Sequence, residues 1–163
     1  GIGHIQVRGD NVFAGYWGMP EKTREEFTAD GFFRTGDMGR FDAGGYLAII
    51  GRDKDLIISG GLNVYPKEIE EAIDALPGVA ESAVIGLPHP DFGEAVTAVV
   101  VRGRDASGLT AEGIIAALKG NIAGFKVPKA VHFVDDLPRN AMGKVQKNRL
   151  RERFGDAGKS QPP

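Results

Sequence analysis

Residues 51–70 read GRDKDLIISGGLNVYPKEIE, and the chain changes character inside this run. The polar stretch 51–55 interrupts two apolar runs, 46–50 and 56–58. A short charged break of this kind fits a hinge, and it also fits an ordinary hairpin loop, which the spacing alone favours. Residues 59–65 then carry two adjacent glycines between apolar positions, a pattern typical of a glycine-rich pair of strands.

The sequence after this run predicts one compact domain that mixes helices and strands. A helix opens at Pro66, and its apolar residues share one face: Ile69, Ala72, Ile73 and Leu76. The further elements are two strands separated by residues 88–91, a second amphipathic helix, a short strand and a last short helix, over residues 79–87, 95–102, 110–123, 131–134 and 147–154. This order predicts an α+β fold in which helices flank a mixed or antiparallel sheet.

The sequence before the run predicts a smaller and mostly β unit. Residues 5–9 alternate as a strand, residues 20–27 are spaced as a short helix, and residues 32–33 begin a strand that we expect to stop at Gly36 and Asp37. Residues 42–45 predict a hairpin turn. The chain opens inside a strand and without Met, which suggests a piece of a longer protein.

Composition narrows the classes of function. The net charge of −2 disfavours a nucleic-acid partner. The absence of Cys excludes a disulfide framework, a Cys-based zinc site and a cysteine nucleophile. No apolar run reaches the roughly 20 residues that span a bilayer, and no signal peptide is visible, so we expect no membrane partner and a cytoplasmic protein.

The run PRNAMGK over residues 138–144 is the first candidate for chemistry. Gly143 gives the backbone freedom, and Lys144 is a compact charge that a loop could bring to a phosphate. A solvated surface lysine is the competing interpretation. Four nearby cations form a basic cluster that suggests either a phosphate-bearing ligand or a solvated helix face: Arg139, Lys147, Arg149 and Arg151.

Two further runs carry weaker signals. Asp37 closes a predicted strand, where its carboxylate could accept hydrogen bonds from the vicinal hydroxyls of a ribose or could cap a turn. The glycine turn (Ser59, Gly60 and Gly61) could let an extended ligand pass close to the backbone or could be a bulge. The three histidines, His4, His89 and His132, show no metal-ligand spacing. Asp135 and Asp136 are predicted to be an acidic pair on the surface.

The order and spacing of these runs are more specific than any one of them. Residues 33–37, 51–70 and 138–144 together resemble three sequential signatures of the adenylate-forming superfamily, and the resemblance extends over essentially the whole chain. Within the superfamily, residues 60–70, 90–94 and 133–140 are most similar to malonyl-CoA synthetases. One departure is the Arg139 and Asn140 pair, where the family has Lys and Thr.

The resemblance implies a domain organisation and a role for each candidate. Residues 1–53 would be the last β subdomain of a large N-terminal domain, residues 54–154 a mobile C-terminal domain, and residues 155–163 a disordered tail. The implied roles are nucleotide binding by Asp37 and Arg52, a hinge at Lys54, contact with the carboxylate and α-phosphate by Lys144, and a coenzyme A channel lined by Ser59, Gly60 and Gly61.

The implied activity belongs to a longer protein. The resemblance implies an AMP-forming acyl-CoA synthetase that activates a small carboxylate, such as malonate, with ATP and Mg²⁺ and transfers it to coenzyme A. The missing N-terminal domain would supply the Mg²⁺ ligands, so we expect the 163 residues alone to be inactive. A carrier-protein-loading adenylation domain and a non-catalytic binding module are the alternatives. By family analogy, an acetyltransferase and a deacetylase would act on Lys144.

Overall fold

The computed structural model describes residues 1–155. The chain separates into two compact units, Gly1–Lys54 and a second that begins at Asp55. Lys54 lies in a short 3-10 turn, Asp53–Asp55, rather than in an extended hairpin loop. No helix of the described residues is long and apolar enough to cross a membrane.

The first unit is a three-stranded antiparallel sheet with one short helix. Its elements are β1 (Gly3–Val7), α1 (Pro20–Glu26), β2 (Phe33–Phe41) and β3 (Leu47–Arg52), and the strand order is β1-β2-β3. The predicted end of β2 at Gly36 and Asp37 is wrong. Gly36 adopts φ +75°, but the strand continues beyond it because residues 37–41 pair with β3.

Within its described residues, 55–155, the second unit contains a five-stranded mixed sheet and three α-helices. Its elements are β4 (Ile57–Ser59), β5 (Leu62–Val64), α2 (Pro66–Asp74), β6 (Val79–His89), β7 (Gly93–Arg102), α3 (Ala111–Lys119), β8 (Ala130–Val134) and α4 (Lys147–Gly155). The strands follow the order β5-β4-β7-β6, and β8 pairs with β7 in parallel. The predicted α+β class and mixed sheet are confirmed.

Both faces of this sheet are buried, which explains the nearly continuous apolar sequence of β7. One face packs against α2 and α3 through Ile69, Ile73, Ile114 and Leu118. The other face packs against Leu150 of α4. The sheet therefore holds the segments that precede α2 and α4 on one rigid body.

Two predicted boundaries shift in the structure. β6 runs through Pro88 to His89, where we expected the break at residues 88–91 to begin. β6 is an edge strand, and proline is tolerated there because no neighbour on the outer side needs its missing N–H. Gly155, the first residue of the predicted disordered tail, ends α4, and residues 156–163 lie outside the described part of the chain.

Candidate functional site

Asp37 and Arg52 face each other across the first unit's sheet. The register of β2 and β3 pairs the two residues, and Arg52 Nε lies 3.0 Å from Asp37 Oδ1. The backbone N–H of Asp37 donates to Thr35 Oγ1 over 3.1 Å, and that hydroxyl donates to the Ile5 carbonyl over 3.0 Å. The Asp37 carboxylate therefore points to Arg52 from within a strand.

This pair can still accept a ligand. The Asp37 side chain is 23% exposed and that of Arg52 is 48% exposed. Arg52 engages one carboxylate oxygen, and each carboxylate oxygen has more than one acceptor site. The carboxylate could accept from two hydroxyls while the guanidinium donates. Such an exposed pair contributes little stability, so its effect is to orient the two side chains.

The glycine turn connects β4 to β5 in a two-residue hairpin. Ser59 pairs with Leu62, and Gly60 and Gly61 adopt φ +59° and φ +78°. Successive positive φ angles are typical of a type I′ turn, which glycine adopts without strain. Ser59 is buried, whereas both glycines are exposed. The tip therefore presents bare backbone, as the channel prediction requires and as an ordinary hairpin turn also would.

The outer edge of this hairpin is hydrogen-bonded to the connection between β6 and β7 and to the start of β7. Gly60 donates its N–H to the Phe92 carbonyl over 2.8 Å. Ile58 donates its N–H to Glu94 Oε2 over 2.8 Å. Our sequence interpretation used Glu94 only as part of a resemblance and gave it no role.

Lys144 lies in the lysine loop (residues 138–146), which folds back on itself as a small hairpin. Arg139 and Val145 form an antiparallel bridge, and Gly143 N donates to the Asn140 carbonyl over 2.9 Å. Asn140 Oδ1 accepts from Met142 N over 3.0 Å and from Lys144 N over 2.9 Å. The side chain of Asn140 thus organises the turn that presents Lys144, a role that sequence reasoning missed, although Asn at the first and Gly at the fourth turn position signal such a turn.

Lys144 is exposed and takes part in none of the ion pairs within residues 1–155. Gly143 adopts φ +77° immediately before it. A charged ammonium on an exposed, backbone-ordered loop can approach a phosphate or a carboxylate. The geometry therefore allows the predicted role of Lys144.

The basic cluster around Lys144 is largely neutralised. Three of its members pair with carboxylates of other elements: Arg139 with Glu81, Lys147 with Glu70 and Arg151 with Asp55. The Lys147 to Glu70 distance is 2.7 Å, and the side chains are 16% and 19% exposed. These ion pairs tie the lysine loop to β6, and they tie α4 to α2 and to the 3-10 turn, so a solvated helix face does not describe Lys147 and Arg151. A phosphate site at the cluster stays a prediction.

The histidines His89 and His132 pack against aromatic side chains. His132 stacks on Phe154 with ring centroids 4.5 Å apart, and burial lowers the pKa of its imidazole. His89 lies beside Asp91 and Phe92. The described residues contain no group of three His, Asp or Glu side chains that could hold a metal ion.

The structure places the predicted residues in two sets. Asp37 and Arg52 share the first unit, whereas Lys144 and the glycine turn share the second. Lys54 is the last residue of the first unit.

Comparisons with known proteins agree on one family of enzymes. Residues 68–144 match the family described as AMP-binding enzyme C-terminal domain. The chain is 51% identical to a (methyl-dioxo-octahydro-indenyl)propanoyl:CoA ligase of Rhodococcus jostii (strain RHA1), over 92% of this chain and 29% of that protein. It is 47% identical to feruloyl-CoA synthase of Amycolatopsis sp over 94% of this chain and 31% of that protein.

A solved structure is more similar in sequence than these relatives. ATP-bound MatB from Rhodopseudomonas palustris is 62% identical, with a TM-score of 0.89, over 96% of this chain and 31% of that chain. The chain thus spans about three tenths of the length of the relatives that it matches.

Proposed function

The chain belongs to the family of AMP-binding enzyme C-terminal domains, within the adenylate-forming superfamily, and we propose its function from that membership. On this premise, the chain is the C-terminal part of an AMP-forming acyl-CoA synthetase, an acid–thiol ligase. Its relatives are several times longer and bear the names of CoA ligases and synthases, which supports a longer parent enzyme.

Lys144 would act in the first half-reaction. A carboxylate oxygen attacks the α-phosphorus of ATP, and the bond from that phosphorus to pyrophosphate breaks. Because two anions meet, a positive charge placed beside the developing charge lowers the barrier. The observation that carries this proposal is the presentation of Lys144, which is exposed and unpaired among the described residues while three neighbouring cations are bound.

The glycine turn would act in the second half-reaction. The thiol sulfur of coenzyme A attacks the acyl carbonyl of the adenylate, the bond to AMP breaks, and the thiol proton leaves to solvent. The extended pantetheine arm needs a surface without bulky side chains. Gly60 and Gly61 offer bare backbone at an exposed tip, which supports this assignment.

Asp37 and Arg52 would bind the nucleotide. The carboxylate would accept from the ribose hydroxyls, and the guanidinium would hold it in place and contact the nucleotide. When bound, Mg²⁺ would neutralise phosphate charge, and we expect its ligands in the N-terminal part of the parent enzyme. ATP and coenzyme A are co-substrates in this scheme.

The domain assignment remains a proposal. Residues 1–53 would complete the large N-terminal domain, and the part from residue 54 would be mobile, with rotation at Lys54 exchanging Lys144 for the glycine turn between half-reactions. The position of Lys54 at the division between two compact units supports a hinge there.

Malonate, or a related small dicarboxylate, is the proposed substrate. The 62% identity to MatB supports it, as does the resemblance of residues 60–70, 90–94 and 133–140 to malonyl-CoA synthetases. Relatives that are 51% and 47% identical are named for polycyclic and feruloyl acyl groups, so the substrate preference is the quantity to measure. An assay of the complete enzyme against a panel of carboxylates tests this, and a clear preference for a bulky apolar acid would overturn it.

The central experiment is Lys144→Ala in the complete enzyme, with Lys119→Ala as the control because Lys119 is also exposed and lies at the end of α3. We expect ATP–pyrophosphate exchange to fall by about 100-fold or more in the first variant, the order seen when a group that stabilises transition-state charge is removed. The control should keep wild-type exchange. Undiminished exchange in Lys144→Ala would favour a non-catalytic binding module.

Two further measurements separate the remaining alternatives. Acyl-CoA among the products, detected by mass spectrometry with free coenzyme A supplied, argues against a domain that loads a carrier protein. The purified 163-residue chain should form no acyl-CoA.

We also propose that acetylation of Lys144 by an acetyltransferase stops adenylation by removing the charge. Full exchange in a homogeneously acetylated enzyme would exclude that regulation.

A further inference from the structure

We propose that Glu94 is a positioning residue for thioester formation, because its carboxylate anchors the outer edge of the glycine turn. This inference rests on the proposed function of that turn. Glu94 itself need not touch coenzyme A. Its effect would pass through the backbone of β4.

Strand geometry explains why an anchor is needed. Ser59 and Leu62 pair across the two-residue turn, so the N–H groups of Ile58 and Gly60 point away from β5. On that side β4 meets β7 at a single residue pair, Ser59 with Gly93. The Gly60 N–H bonds within the reach of that pair, whereas the Ile58 N–H, on the other side of Ser59, needs an acceptor outside the regular ladder.

The connection between β6 and β7 and the start of β7 supply the two acceptors. The Phe92 carbonyl accepts from Gly60 over 2.8 Å, and Glu94 Oε2 accepts from Ile58 over 2.8 Å. The first acceptor is backbone and survives any substitution of a side chain. The second exists only because residue 94 carries an oxygen at the right reach.

The neighbouring strand leaves room for this carboxylate. A Cβ atom at Gly86 would lie 2.5 Å from Glu94 Oε1 and 2.9 Å from its Cδ. Gly86 has no positive φ, so its backbone conformation does not call for glycine. Space for Glu94, with Ile57 packed beside it, is therefore the reason for glycine at position 86.

The glycine turn depends on such anchors more than most turns do. Gly60 and Gly61 have no side chains to pack, and nothing lies within 4 Å of a Cβ position at Gly61. Its tip is held by the Gly60 backbone hydrogen bond and lies near the Phe92 ring, 3.9 Å from a Cβ position at Gly60. Losing the bond at Ile58 would leave the outer edge of β4 with the Ser59–Gly93 pairing and the Gly60 bond, so the bare backbone of the turn would be less firmly positioned.

The test compares the two half-reactions in the complete enzyme. Glu94→Ala should slow single-turnover thioester formation from the acyl-adenylate, at saturating coenzyme A, by about tenfold, as expected for the loss of a hydrogen bond to a charged group. ATP–pyrophosphate exchange should stay within about twofold, since Lys144 lies on a loop with its own hydrogen bonds. Glu152→Ala, an exposed carboxylate on α4, is the control.

Two variants separate anchoring from other roles. Glu94→Gln keeps an oxygen that can accept from Ile58, so it should restore most of the thioester rate. Gly86→Ala keeps the carboxylate but displaces it, so it should reproduce the defect of Glu94→Ala. Amide hydrogen exchange over residues 57–62 should accelerate in Glu94→Ala and Gly86→Ala but not in Glu94→Gln.

Each outcome bears on the proposal. Equal losses in both half-reactions would reduce Glu94 to a general folding role, and a Gln variant as slow as the Ala variant would point to a direct effect of charge; either overturns the proposal. If the wild-type enzyme makes no thioester, the proposed function fails, and unchanged amide exchange in Glu94→Ala would separately overturn the anchoring.

Discussion

Asn140→Ala should slow adenylation without unfolding the protein. The substitution removes one acceptor atom, Oδ1, and with it the hydrogen bonds from Met142 N and Lys144 N. Two backbone bonds remain in the turn, Gly143 N to the Asn140 carbonyl and Asn140 N to the Lys144 carbonyl, both 2.9 Å. The turn therefore keeps its course but is less firmly ordered at Lys144.

The magnitude follows from the two lost bonds. A neutral hydrogen bond contributes about 0.5–1.5 kcal/mol net, and the low end applies to this exposed loop, which gives about 1 kcal/mol for the pair. That energy corresponds to a roughly fivefold smaller equilibrium constant for ordering the loop, at about 1.4 kcal/mol per factor of ten. We expect ATP–pyrophosphate exchange in the complete enzyme to fall by up to about that factor.

Two controls make this test specific. Met142→Ala changes an exposed side chain of the same turn (74% exposed) but removes neither hydrogen bond, so its exchange rate should be that of the wild type. Asn140→Asp keeps the acceptor oxygen and should exchange faster than Asn140→Ala. Wild-type exchange in Asn140→Ala would refute the idea that the side chain of Asn140 presents Lys144.

Three further predictions concern the second unit. Lys147→Met should lower the free energy of unfolding by about 1–3 kcal/mol in urea titrations, because it leaves the Glu70 carboxylate largely buried with only the Val84 N–H as donor; an unchanged midpoint would contradict the anchoring of α4 by this pair. Leu150→Ala, at a fully buried position, should cost about 2–5 kcal/mol in the same titration, and a loss below 1 kcal/mol would show that α4 is not docked as described. Burial lowers the pKa of His132, so the unfolded state binds the proton more readily than the folded state. The free energy of unfolding should therefore fall as the pH drops from about 6.5 downward. His132→Asn should flatten this part of the pH profile of unfolding, and an unaltered slope would argue against a role of His132 in it.

Local sequence patterns predicted most of the elements. Pro66 and the apolar positions Ile69 and Ile73 predicted α2, and the structure has that helix over Pro66–Asp74. The resemblance to the adenylate-forming superfamily, read from three short runs, is confirmed by the family match. Boundaries were less accurate where pairing overrides a local stop signal, as at Gly36 in β2.

The sequence likewise predicted some features of the candidate site and missed others. The sequence alone singled out Lys144, Asp37 and the glycine turn, because charge, glycine and spacing are local properties of the chain. Their roles remain proposals. The sequence could not show that the basic cluster is mostly paired, since Arg139 meets a carboxylate 58 positions away.

The sequence by itself determined the classes of element and the α+β fold, because hydrophobic periodicity and turn residues act over a few neighbouring positions. It indicated the family through the resemblance of three short runs to known signatures. Only the tertiary structure decided the partners: Arg52 beside Asp37, Glu70 with Lys147, and Glu94 beneath the edge of β4. Ile58 and Glu94 are 36 positions apart, and no local pattern links them. They meet because strand order and register bring an unpaired N–H to an acceptor, which follows from how the whole sheet packs.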